Sequence, residues 1–86
     1  MRYDAHLIPG PKGKGEAAYR RDVLDNWGVR NGSDDLEEFK KRVKKAAEDL
    51  FEYDTIEIWD CETEQRVMRF RNEIVGGYVV VKQMKG

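Results

Sequence analysis

From Leu36 onward the apolar residues Phe39, Val43, Ala46, Ala47, Leu50 and Phe51 recur three or four positions apart, and the positions between them are nearly all charged. That period lays the apolar set along one stripe of a helix and leaves the opposite face solvated. Asp34, with Glu37 three residues on, reads as the N-cap of this helix in a capping box, its carboxylate taking an orphan N–H of the first turn. Beyond Tyr53 the rule changes to alternation. Ile56 and Ile58 fall on one side and Thr55, Glu57 and Trp59 on the other, the pattern of a strand with one buried face.

Residues 2–8 alternate as well, Tyr3, Ala5 and Leu7 against Arg2, Asp4 and His6, which predicts a first strand that Pro9 ends. Glu16 to Trp27 reads as a short helix, with Tyr19, Val23 and Trp27 at a spacing of four and Gly28 placed as its C-terminal cap. A hairpin turn centred on Thr63 would set Ile58 against Met68, Ile56 against Phe70, Glu57 against Arg69 and Trp59 against Val67, which predicts a loop of three or five residues. The last strand, Tyr78 to Met84, follows Gly76-Gly77 and carries Tyr78-Val79-Val80-Val81, apolar on both faces. Such a run predicts an inner strand, or one whose outer face meets a partner. The expected class is α+β in the order β-α-α-β-β-β, a mainly antiparallel sheet with two helices packed on one face. The pattern leaves open whether the first strand lies beside the last.

Eighty-six residues predict a single compact domain over 1–86 with a small core. Seventeen acidic and 16 basic residues give a net charge of −1, so no overall field draws the chain to nucleic acid or an anionic membrane. Cys61 is the only cysteine, which excludes an internal disulfide and a cysteine-based zinc site and fits a reducing compartment. With no apolar run of signal-peptide or membrane-spanning length, the expectation is a soluble cytoplasmic protein without a membrane partner.

The loop Pro9-Gly10-Pro11-Lys12-Gly13-Lys14-Gly15 lies between a predicted strand and a predicted helix, where backbone N–H groups and the helix dipole can hold a phosphate. Gly10 and Gly15 have the spacing of a P-loop, but Glu16-Ala17 stand where Lys and Ser/Thr are required. A dinucleotide reading fails for want of a following βαβ unit. The plainer reading is a soluble connector. The run Lys40 to Lys45 packs five cations into six positions, yet Glu37–Lys41, Glu38–Arg42, Lys44–Glu48 and Lys45–Asp49 are each four apart and predict self-neutralising pairs. Arg66, Arg69 and Arg71 likewise face acidic or polar residues across the hairpin in the predicted register. His6, the only histidine, has no nucleophile and base that spacing brings to it, and no cluster has metal-ligand spacing. The chain is expected to be no enzyme and to need no cofactor or metal.

Trp59, Val67, Arg69, Arg71 and Glu57 are expected on the sheet face turned away from the helices, and they are of residue types enriched at interaction hot spots. The primary expectation is therefore a small intracellular protein-interaction module that docks another protein, or a second copy of itself, through that face. In size and charge density it is similar to phage or mobile-element accessory proteins that bind and block a host protein. The alternative is a binder of a phosphate ligand such as a nucleotide, or of nucleic acid, through Lys12, Gly13, Lys14 and Gly15, assisted by the Lys40–Lys45 face.

Overall fold

Two helices are inserted between the first and second strands of a four-stranded antiparallel sheet whose spatial order is the chain order. The computed structural model describes residues 1–85. Its elements are β1 (Tyr3–Ile8), α1 (Ala17–Asn26), α2 (Leu36–Glu48), β2 (Thr55–Asp60), β3 (Gln65–Val75) and β4 (Tyr78–Lys85). This is the α+β arrangement that the periodicity predicts. β1 lies beside β2, which closes the question of strand order. No helix among the described residues is long and apolar enough to cross a membrane.

α2 buries the stripe read from its sequence: Phe39, Val43, Ala46 and Ala47 have no exposed surface. They meet Ile56, Ile58, Met68 and Phe70, the inward residues of β2 and β3, so a single apolar layer separates helix from sheet. The N-cap is Asp35, one residue later than predicted, and its carboxylate accepts the Glu38 N–H at 3.2 Å. Asp34 is drawn off because Ser33 and Tyr3 exchange two backbone hydrogen bonds, 2.8 and 3.0 Å, and the Asp34 carboxylate then accepts the Arg2 N–H at 2.8 Å.

α1 is turned on its axis relative to the predicted stripe. Tyr19 is 43% exposed, and the buried positions are Arg20 and Val23. Gly28 does cap the helix: with φ of +67° it lets its own N–H reach the Asp25 carbonyl and the Val29 N–H reach Leu24, a Schellman closure that seats Val29 wholly in the core. Asp49, at the end of α2, gathers α1 through its carboxylate, which accepts from Trp27 Nε1 at 2.8 Å, and its carbonyl, which accepts from the Tyr19 hydroxyl at 2.7 Å.

The buried arginine has a buried partner. Arg20 donates Nε and Nη2 to the two carboxylate oxygens of Asp54 at 2.9 and 3.1 Å, and its remaining donors go to the carbonyls of Lys12 and Gly13 at 2.6 and 3.2 Å. Asp54 also accepts the N–H groups of Gly10 and Phe51, at 2.7 and 3.0 Å. A second polar anchor joins α2 to the sheet. Asn72, 1% exposed on β3, donates Nδ2 to the carbonyls of Ala47 and Leu50, taking up acceptors that the end of the helix leaves free.

The predicted pairs Ile56–Phe70, Glu57–Arg69 and Ile58–Met68 are all present. Beyond Ile58 the register slips by one, because Val67 is the extra residue of a bulge, and Trp59 faces Arg66 in place of Val67. The loop is therefore four residues, 61–64, and not an odd number. Asp60 bridges this four-residue turn by accepting the Glu62 N–H at 3.0 Å. β4 is an edge strand, which corrects the expectation of an inner one: Gly76-Gly77 fold it straight back onto β3, and β1 has gone to the far side of β2.

Removing one partner of the Arg20–Asp54 pair leaves the other charge buried and unpaired, so Asp54→Ala and Arg20→Met are each expected to lower unfolding free energy by about 3–5 kcal/mol. The double variant is expected to cost clearly less than the sum of the two. Urea denaturation followed by circular dichroism measures both, and simple additivity would sink the assigned coupling.

Candidate docking face

α2 lies against all four strands from one side of the sheet and α1 packs on α2, so the pleat turns Glu57 and Trp59 of β2, and Arg69 and Arg71 of β3, to a side that no helix covers. The predicted layering holds at its decisive points, for Ile56 and Met68 are 0% and 6% exposed on the helix side. Val67 is the member that moves. Half-buried at the bulge, it packs against the core cluster, and Arg66 takes its place across from Trp59.

Glu57 is buried on this open face because two neighbours close over it. Its carboxylate accepts Trp59 Nε1 at 3.2 Å and Arg66 Nη1 at 2.7 Å. The first bond fixes the half-buried indole, whose ring centroid stands 5.9 Å from that of His6 on β1. The His6 ring in turn lies 3.6 Å from the Asp4 carboxylate. Around the indole is an open groove of about 430 Å3 lined by His6, Glu57, Trp59, Asp60, Cys61 and Glu64. Sequence reasoning found Trp59 and Glu57 but not His6 or Arg66. Strand parity, with β1 beside β2, would have placed the histidine, whereas the bulge that selects Arg66 leaves no mark in the hydrophobic pattern.

Of the three hairpin arginines, Arg66 is held by Glu57 and Arg71 by Glu73 of its own strand at 2.8 Å. Arg69 makes no ion pair among the described residues, although Glu57 lies directly across from it, and its buried Nε has no hydrogen-bond acceptor. The face thus presents a fixed aromatic ring beside a cation with unused donors.

The residues of the alternative site are arranged otherwise. Lys12 and Lys14 stand in solvent. The loop between them is closed on the chain itself: the Lys12 and Gly13 carbonyls serve Arg20, the Gly10 N–H serves Asp54, and the Glu16 N–H serves Gly13. Gly13, at φ +62°, lies against Phe51, where a Cβ would run into the ring. On α2, Arg42 is drawn back to the Gly28 carbonyl and Glu38, at 2.8 and 2.6 Å, and Lys40 to Glu37 at 3.5 Å. The predicted pairs of Lys41, Lys44 and Lys45 do not form among the described residues, Asp49 being engaged by Trp27. No three metal-ligating side chains converge among the described residues.

Asp60, in the wall of the groove, is held below the ordinary carboxylate value of 3.8, first by its hydrogen bond from Arg2 and then by backbone N–H groups of the turn. The Arg2 guanidinium, 3.0 Å away, is raised in turn. A lowered carboxyl contributes stability that is complete above its ordinary value and is lost as pH falls through the lowered one. The difference in unfolding free energy between the parent chain and Arg2→Ala is therefore expected to stay level from neutral pH to about 4 and to shrink on further acidification. Denaturation at a series of pH values measures this, and a difference that grows with acid would contradict the assigned pair.

The chain matches no protein-family model, no curated protein and no solved structure with which it was compared.

Proposed function

We propose that this chain is a non-enzymatic protein-interaction module of the cytoplasm, acting by docking through the helix-free face of its sheet. The observation that carries the reading is Trp59, an aromatic ring anchored by Glu57 and left half open beside a groove on a face without a covering layer. Preorganised aromatics next to arginines are where binding energy concentrates, because little side-chain entropy is lost when they are covered. Arg69 narrows the partner's chemistry. A partner that lays an apolar group in the Trp59 groove and brings a carboxylate or backbone carbonyl to the guanidinium of Arg69, which has no ion pair among the described residues, answers both features of the face. Blocking a host protein, the role of a phage or mobile-element accessory protein, asks for no more machinery than this.

The test begins with a partner identified by cross-linking in cells and then prepared pure. Titration against the parent chain, Trp59→Ala and Arg69→Ala is expected to show affinity lowered about tenfold or more by each substitution, or at least 1.4 kcal/mol. Circular dichroism of the free variants should remain that of the parent. Unchanged affinity in Trp59→Ala would rule out this face as the docking site.

A further inference from the structure

Five large apolar side chains that stand in solvent lie on one hairpin: Ile74 and Val75 before the Gly76-Gly77 turn, and Tyr78, Val79 and Val80 after it, each between 42% and 77% exposed. They surround an open sheet edge. The two edges of the sheet are unlike. β1 is guarded at its start by the two backbone bonds between Tyr3 and Ser33, which lie outside the strand ladder, and Pro9 follows its last residue. Over Tyr78–Val81, β4 carries no proline and no charge, and its register with β3 has no bulge, so the usual guards against edge pairing are missing.

The turn determines which backbone groups face outward. Gly76 and Gly77, at φ +58° and +82°, make a two-residue turn, so the flanking Val75 and Tyr78 form a hydrogen-bonded pair. Alternation then turns the N–H and C=O of Tyr78, Val80 and Lys82 toward β3 and leaves those of Val79, Val81 and Gln83 on the free side.

We propose that a second copy of this chain covers this edge, β4 pairing antiparallel with β4 of the other copy about a two-fold axis at Val80, so that two four-stranded sheets become one continuous sheet. An axis perpendicular to the sheet must set one residue against itself, and it keeps the helices of both copies on one side. Centred on Val80, Val79 of each copy lies opposite Val81 of the other and supplies the outward hydrogen bonds, while the two Val80 side chains meet across the axis. Tyr78 then faces Lys82 of the second copy, an ammonium over an aromatic ring. Centring on Lys82 would set two ammonium groups directly opposite each other, and that register is disfavoured. A net charge of −1 opposes no such approach. The pairing stands apart from the docking reading; where both hold, two Trp59 grooves open on the same side of one sheet.

Sedimentation equilibrium of the full chain, from low micromolar to submillimolar concentration, is expected to show the mass rising from 10.1 kDa toward twice that value. Val80→Lys places like charges on the axis, and Val79→Pro removes an outward N–H without touching the ladder to β3. Each is expected to weaken the dimer by about tenfold or more, with circular dichroism unchanged. Trp59→Ala is expected to leave the dimer intact, which separates this result from that of the docking face. Should either edge variant unfold, Cys61→Ser/Val80→Cys decides. The two positions would form a non-hydrogen-bonded pair with Cα atoms about 4.5 Å apart, within disulfide range, and mild oxidation is expected to give a covalent dimer. A mass of 10.1 kDa throughout overturns the proposal and leaves the edge to a strand from another protein. A dimer indifferent to both edge substitutions and not trapped by the cysteine overturns it too.

Discussion

The placement of α1 depends first on one buried ion pair. Arg20 and Asp54, with 6% and none of their side chains exposed, connect α1, the Pro9–Gly15 loop and the turn that leads into β2. Desolvating two charges is unfavourable unless each lone pair and each donor finds a partner. Here both carboxylate oxygens accept a backbone N–H as well as the guanidinium, and the guanidinium spends its remaining donors on loop carbonyls. α1 has only Val23 as a buried apolar residue within its span, so its orientation is set by this polar contact and by the bonds of Tyr19 and Trp27 to Asp49. The loop that looks like a free connector in composition is thereby part of the packed structure.

With the helices held on one side, the opposite side of the sheet is left to small polar networks. Glu57 shows how such a face stays ordered without a covering layer: a carboxylate in the middle of the sheet recruits an indole N–H and a guanidinium, and their bodies close over it. The order of Trp59 is therefore a property of the free chain. Arg69 has no such partner among the described residues, because the bulge at Val67 brings Arg66 to the Glu57 carboxylate that lies across from Arg69.

The elements, the layering and most of the β2–β3 register were legible in the sequence because burial imposes a period on the apolar residues. α2 displays that period throughout, and in β2 Ile56 and Ile58 carry it. What stayed hidden was polar. Arg20 interrupts the apolar stripe of α1, which by spacing alone runs through Tyr19; Asn72 and Asp54 carry no mark of burial, because nothing local tells a buried hydrogen-bonded side chain from a solvated one. The bulge escaped for a similar reason. Val67 fits either face by hydrophobicity, and the contacts that accompany its placement, Arg66 on Glu57 and the Glu62 N–H on Asp60, are polar. Asn72 is the clearest case, since its partners are carbonyls at the end of a helix more than twenty residues earlier in the chain.

The contrast between the two borders of the sheet has a consequence for growth. A sheet with both borders free can add molecules without end, as in fibres, since each newcomer presents a fresh template. With Tyr3 already bonded to Ser33 and Pro9 at its other limit, the β1 side offers little for a newcomer to copy. Under the proposed pairing, recruitment through β4 alone would exhaust itself after one event, so the uncharged tip of the hairpin, residues 74–81, would not seed a polymer.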